Sequence, residues 1–194
     1  IYAESTPNPE TVKFVANKSL VTRRFEFTSA ASATEAPLVA ALFDLGYVKE
    51  VFLSQNYISI TKTATESWDN IMHPAKDFIA DYLQNGGHVL TDAALKEDPN
   101  EGAEQKAQQQ NSPQTDQEKE IVAILEEFVT PAVAGDGGYI AFDSFDPETK
   151  TLRVLLQGAC SGCPSSTVTL KNGIQTMLKE MTQGRVALVE AINN

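Results

Sequence analysis

The sequence predicts an α+β protein of two small sandwich-like domains, ordered ββαββα and then αββαβ and joined by a flexible acidic linker. Three observations carry that expectation. Apolar residues recur at three- and four-residue steps in separate stretches, the period of a helix half-sunk in a core. Between those stretches lie short runs rich in Val, Ile, Phe and Tyr, bounded by Gly, Pro, Asn and Ser, which is the signature of strands and turns. Between Thr91 and Gln117 both patterns stop: Asp92, Glu97, Asp98, Pro99, Asn100, Glu101 and Gly102 lead into a run containing Gln108, Gln109 and Gln110, with almost nothing to bury.

In the first piece, residues 1–90, Thr11 to Ala16 and Val21 to Phe27 read as strands, the second placing Phe25 and Phe27 on one face. The polar Asn17-Lys18-Ser19 between them suits a hairpin turn. Pro37 opens a helix, Leu38, Leu42 and Leu45 give its apolar spacing, and Gly46 supplies the stop. Val48 to Leu53 and Tyr57 to Lys62 form a second hairpin around Ser54-Gln55-Asn56. A longer helix follows, with Trp68, Ile71, Met72, Ala75, Phe78, Ile79, Tyr82 and Leu83 on its apolar side, Pro74 marking a kink or its true start, and Gly86-Gly87 ending it. Aromatics at that spacing read as core residues, and helices cover one face of the sheet.

In the second piece, residues 118–194, Ile121, Ile124, Leu125, Phe128 and Val129 lay one apolar stripe on a helix ending about Pro131. Gly135-Asp136-Gly137-Gly138 reads as a turn with a conformational role. Tyr139 to Phe142 and Leu152 to Gln157 are strands joined by Asp146-Pro147-Glu148-Thr149-Lys150. A helix carrying Leu170, Ile174, Met177, Leu178 and Met181 begins after Cys163, and Val186 to Ile192 closes as a strand. Residues 91–117 are the linker, and no internal repeat relates the two pieces.

Charge narrows the partners. The 194 residues hold 15 basic and 26 acidic side chains, a formal net charge of -11, with no basic run to offset it. Such a surface repels phosphate, which argues against nucleic acid and anionic membrane as partners. No stretch approaches the roughly 20 apolar residues needed to span a bilayer, and Ile1 to Pro9 lacks the layout of a signal peptide. The expectation is a soluble protein of a reducing compartment: the only cysteines, Cys160 and Cys163, cannot staple a chain of this size. No Ser/His/Asp set, phosphate loop or zinc-protease helix is present in the sequence, so it reads as a non-enzyme.

The chemistry concentrates in Gln157-Gly158-Ala159-Cys160-Ser161-Gly162-Cys163-Pro164-Ser165-Ser166-Thr167. Gly158 before the pair and Gly162 within it let two thiols turn to one side, where two thiolates share one iron or zinc centre. Pro164 needs no amide donor, and Ser165 or Ser166 caps the helix. The positive end of that helix is expected to lower the thiol pKa values. Iron–sulfur clusters and closed zinc sites both take four ligands as a rule, and this chain offers two cysteines. His73 and His88 lie in the other domain and read as ordinary histidines. A second copy of the loop across a two-fold axis completes the set most simply, in an exposed, shared site suited to a cluster passed onward. A thioredoxin-like disulfide redox pair is the alternative, although such a protein places its motif in a βαβ frame and here the motif follows a hairpin.

Around these residues the C-terminal piece resembles the NifU-like C-terminal (Nfu) domain of iron–sulfur cluster scaffold and carrier proteins. The matching marks are Asp136-Gly137-Gly138-Tyr139, Leu156 through Ser166, and Thr169-Leu170-Lys171. The N-terminal piece resembles the Nfu N-terminal domain through Thr6-Pro7-Asn8-Pro9, Lys13-Phe14 and Trp68. The resemblance implies that Cys160 and Cys163 of two subunits bind a [4Fe-4S] cluster, hence a cluster-bridged homodimer, and it admits a transient [2Fe-2S] form. It further implies an upstream assembly scaffold as donor, apo iron–sulfur proteins as recipients, and client selection by the N-terminal domain. The matching compartments are a bacterial cytoplasm or, after removal of a transit peptide, a mitochondrial matrix. The long Gln-rich linker has no match in the family pattern.

Overall fold

The computed structural model describes residues 1–92, 115–160 and 164–193. Most of the expected linker, together with Ser161, Gly162 and Cys163, lies outside the described residues. The chain is mixed α and β and divides into two compact units, Ile1–Pro99 and Asn100–Asn194.

The first unit is an antiparallel sheet of strands β1 (Tyr2–Ser5), β2 (Thr11–Val15), β3 (Phe25–Phe27), β4 (Val48–Ser54) and β5 (Tyr57–Lys62), in the order β1-β2-β5-β4-β3. Helices α1 (Pro37–Phe43) and α2 (Trp68–Gln84) supply its apolar cover. Side chains one residue apart on a strand point to opposite faces, so Val12, Phe14, Ile58, Ile60, Val51 and Leu53 meet Leu38, Leu42, Ala75 and Ile79 in one core. Trp68 packs against that core, 6.1 Å from the ring of Phe14. Ser67 caps α2 by accepting from the Asp69 amide, so Pro74 falls inside the helix and does not mark its start.

One expectation is corrected here. Thr11 to Ala16 and Val21 to Phe27 do not form a hairpin: β2 pairs with β1 and β5, whereas β3 pairs with β4. Strand β1, four residues too short to show a period, already occupies one side of β2. The segment after β2 instead bonds to the β4–β5 turn, through the amides of Ala16 to Asn56 O at 2.7 Å and of Leu20 to Gln55 O at 2.6 Å.

The second unit begins with a true capping box: Thr115 accepts from the Glu118 amide and Glu118 returns the bond to the Thr115 amide. Helix α3 (Asp116–Ile124) therefore starts inside the stretch read as linker. It does not stop at Pro131. A π-helical segment, Leu125–Val129, passes into α4 (Thr130–Gly135). Pro131 has no amide proton to give to the preceding turn, and a widened turn just before it absorbs the missing bond. Strands β6 (Gly138–Asp146) and β7 (Thr151–Gly158) form an antiparallel hairpin, helix α5 (Pro164–Met181) crosses over, and β8 (Leu188–Asn193) returns parallel to β7, giving the order β6-β7-β8. Ile121, Leu125, Val129, Ile140, Leu152, Val154, Leu156, Leu178 and Val189 make the core of this unit.

Candidate functional site

The hairpin β6–β7 decides where the first cysteine lies. Its open end pairs Gly138 with Gly158, followed inward by Tyr139 with Gln157 and Ile140 with Leu156. On the β6 side, Asp136 ends α4, its amide reaching Ala132 O at 3.1 Å. Gly137 then turns the chain with φ +79°, an angle that side chains resist. On the β7 side Gly158 takes φ +68°, and the Ala159 amide bonds to Gly137 O at 3.2 Å. The two glycine segments, far apart in sequence, are thus tied to one another beside Cys160.

Cys160 follows directly. It is only 6% exposed and belongs to the same buried cluster as Ile140, Leu156 and Ile174. Its sulfur lies over Gly138, so closely that a Cβ at that glycine would stand 2.5 Å from Sγ and 3.1 Å from the Cys160 Cβ. Burial pushes the Cys160 thiol up to about 12, and the negative charge of Asp136 adds to the rise. This corrects the expectation of a lowered pKa at Cys160: the thiol is packed into apolar surroundings beside a carboxylate, and both raise it. It also corrects, for this residue, the expectation of an exposed site. Ligation of a metal by Cys160 must therefore expel a firmly held proton.

Cys163, the other expected ligand, lies outside the described residues, and so do the side chains of the expected caps Ser165 and Ser166. His73, on α2, and His88 are exposed and belong to the first unit. Among the described residues no group of three or more His, Cys, Asp or Glu side chains could hold a metal ion. Also among the described residues, no helix is long and apolar enough to cross a membrane.

The part that sequence reasoning missed is Gly138. Asp136-Gly137-Gly138 reads as a conformational turn and a mark of the family resemblance, yet Gly138 packs beneath the first cysteine. The pairing of Gly138 with Gly158 follows from a register shift between Phe142 and Ser144 that no local sequence pattern marks. Gln157, the first residue of the motif stretch, is 4% exposed, and its Oε1 has no hydrogen-bond partner among the described residues.

Comparison with known proteins adds relationship to geometry. Residues 1–86 match the family model described as scaffold protein Nfu/NifU N terminal, and residues 121–189 match the NifU-like domain. Among curated proteins, NifU-like protein 4, mitochondrial, of Arabidopsis thaliana is 32% identical over 92% of this chain and 61% of its own length. A NifU-like protein of Schizosaccharomyces pombe is 33% identical over 92% of this chain and 67% of its own. The human protein named NFU1 iron-sulfur cluster scaffold homolog, mitochondrial, is 33% identical over 92% of this chain and 66% of its own. The chain thus spans about three fifths to two thirds of the length of these relatives.

Proposed function

The chain belongs to the NifU-like (Nfu) scaffold family, and from that premise we propose that it carries an iron–sulfur cluster as cargo and passes it to apo-proteins. The observation that carries the reading is the setting of the first cysteine: a C-x-x-C motif precedes helix α5 in the sequence, and Cys160 lies over Gly138 within a domain that matches the NifU-like model. Cys160 and Cys163 are the ligands of this chain. Two thiolates fill half of the usual four positions of a [4Fe-4S] cluster, so a second copy supplies the rest and the loaded form is a homodimer bridged by its cargo.

Chemical work is divided accordingly. Cys160 waits as a buried, protonated thiol and gives up its proton as iron binds. A cluster held half by each subunit is released when the subunits part, which suits delivery and involves no turnover of a substrate; the protein acts as a carrier and not as an enzyme. The cluster arrives from an upstream assembly scaffold, and the N-terminal unit selects the recipient, its tether to the C-terminal unit raising the local concentration of a captured client. Given the mitochondrial relatives, the mitochondrial matrix is favoured over a bacterial cytoplasm.

The buried thiol also weighs against a thioredoxin-like role. An attacking cysteine needs a thiolate near neutral pH, whereas Cys160 is pushed up to about 12. The test is substitution: Cys160→Ser and Cys163→Ser should each abolish iron retention after anaerobic reconstitution and leave the circular dichroism spectrum intact. An undiminished iron-to-protein ratio in either variant contradicts the assignment. Light scattering should show the mass doubling on loading in the wild-type chain and not in the variants.

A further inference from the structure

We propose that Gly138 is a positioning residue for Cys160: the absent side chain at Gly138 is the seat in which the Cys160 sulfur rests, and it fixes where that thiol stands. The ligand role of Cys160 rests on the function proposed above; the seat itself rests on the packing.

Backbone conformation does not explain a glycine here. Gly137 and Gly158 have φ of +79° and +68°, and each needs glycine for that reason alone. Gly138 is not among the residues of positive φ, and as the first residue of β6 it has the extended backbone that alanine adopts freely. What forbids a side chain is space. A Cβ at Gly138 would stand 2.5 Å from Cys160 Sγ, 3.1 Å from Cys160 Cβ and 3.0 Å from the carbonyl oxygen of Gln157.

The sulfur cannot clear that conflict by rotation alone, because the Cys160 Cβ and the Gln157 carbonyl are crowded as well. Either the open end of the hairpin spreads or the cysteine leaves its place in the core. Both outcomes move the thiol, since cysteine has a single side-chain torsion and its position follows the backbone. Gly135 gives the contrast: it lies three residues earlier, has no positive φ, and a Cβ there would meet nothing within 4 Å.

The test uses the full chain. With Cys163→Ser in place Cys160 is the only thiol, and its reaction with 5,5′-dithiobis(2-nitrobenzoate) reads its accessibility. Gly138→Ala should speed labelling at least roughly tenfold, as expected when a group reached only by local opening becomes exposed. Gly135→Ala should leave the rate unchanged. A second readout is the thermal midpoint of the β6 and β7 amide signals: Gly138→Ala should lower it, and by less than half as much when Cys160→Ala removes the sulfur. If Gly138→Ala alone does not fold, recovery of folded protein on adding Cys160→Ala upholds the seat, and no recovery overturns it. An unchanged labelling rate, or midpoint losses that simply add, overturns it too.

With both cysteines present, Gly138→Ala should also retain less iron than wild type, and wild-type retention in that variant contradicts a positioning role in loading. A wild-type chain that takes up no iron defeats the carrier reading, while the labelling and midpoint results still decide the seat.

Discussion

The two ends of the β6–β7 hairpin solve the same problem, closing a pair of strands, by opposite means. At the turn end, polar side chains do it: Asp146 accepts from the Glu148 amide at 2.9 Å and from the Thr149 hydroxyl at 2.8 Å, and Arg153 bridges to Glu190 at 3.2 Å across β7 and β8. These groups are exposed, and water competes for each of them. At the open end side chains are missing. Gly137, Gly138 and Gly158 bring two backbones together, and the space left over holds a buried thiol. Removing side chains makes the place for chemistry, whereas adding polar ones only fastens a loop.

Substitutions along the hairpin sharpen this contrast. Leu156, 1% exposed and next but one to Gly158, anchors the open end in the core. Leu156→Ala should cost about 2–5 kcal/mol, as buried leucine truncations do, read as the urea midpoint of the β6 and β7 amide signals. Gly158→Ala comes next: at φ +68° an L side chain costs roughly 1–2 kcal/mol, and the same titration measures it. Asp146→Asn should have the smallest effect. If it costs as much as Gly158→Ala, the contrast between the ends fails.

Acid gives the turn end its own signature. The hydrogen bond from the Thr149 side chain, with the Glu148 amide behind it, lowers the Asp146 pKa below the usual carboxylate value. A carboxylate favoured by folding contributes stability that is present above its unfolded pKa and lost as pH falls through its folded one. The wild-type midpoint should thus fall slightly further than that of Asp146→Asn on the acid limb below the ordinary aspartate range. Identical acid limbs in the two proteins would show that the turn bonds carry no stability.

How much of this was legible in the sequence depends on distance along the chain. Helix periods and hairpins are local, and α1, β5 and α5 fall where spacing places them. Local patterns do not say which strands pair, so the partner of β2 was missed once β1 went unseen. They also do not reveal a π segment, because a widened turn before Pro131 keeps the apolar stripe going to Val133.

The candidate site shows the same limit. Its motif stands in the sequence, but the seat beneath it does not. Counting outward from the Asp146–Thr151 pair would set Gly138 opposite Ala159; the irregularity between Phe142 and Ser144 shifts the register and brings Gly138 opposite Gly158. One residue of slip is what puts a glycine under Cys160. The raised pKa of Cys160 is hidden for a similar reason, since it arises from burial and from Asp136, twenty-four residues away in sequence.

The central claim is a cluster shared between two chains through Cys160 and Cys163. Anaerobic reconstitution with iron and sulfide, followed by Mössbauer spectroscopy and counts of both elements, tests it most directly. About four irons and four sulfides per two chains, as a four-thiolate [4Fe-4S] cluster requires, is the expected result. A chain that retains no iron, and binds zinc stoichiometrically or closes a reversible Cys160–Cys163 disulfide, would contradict it.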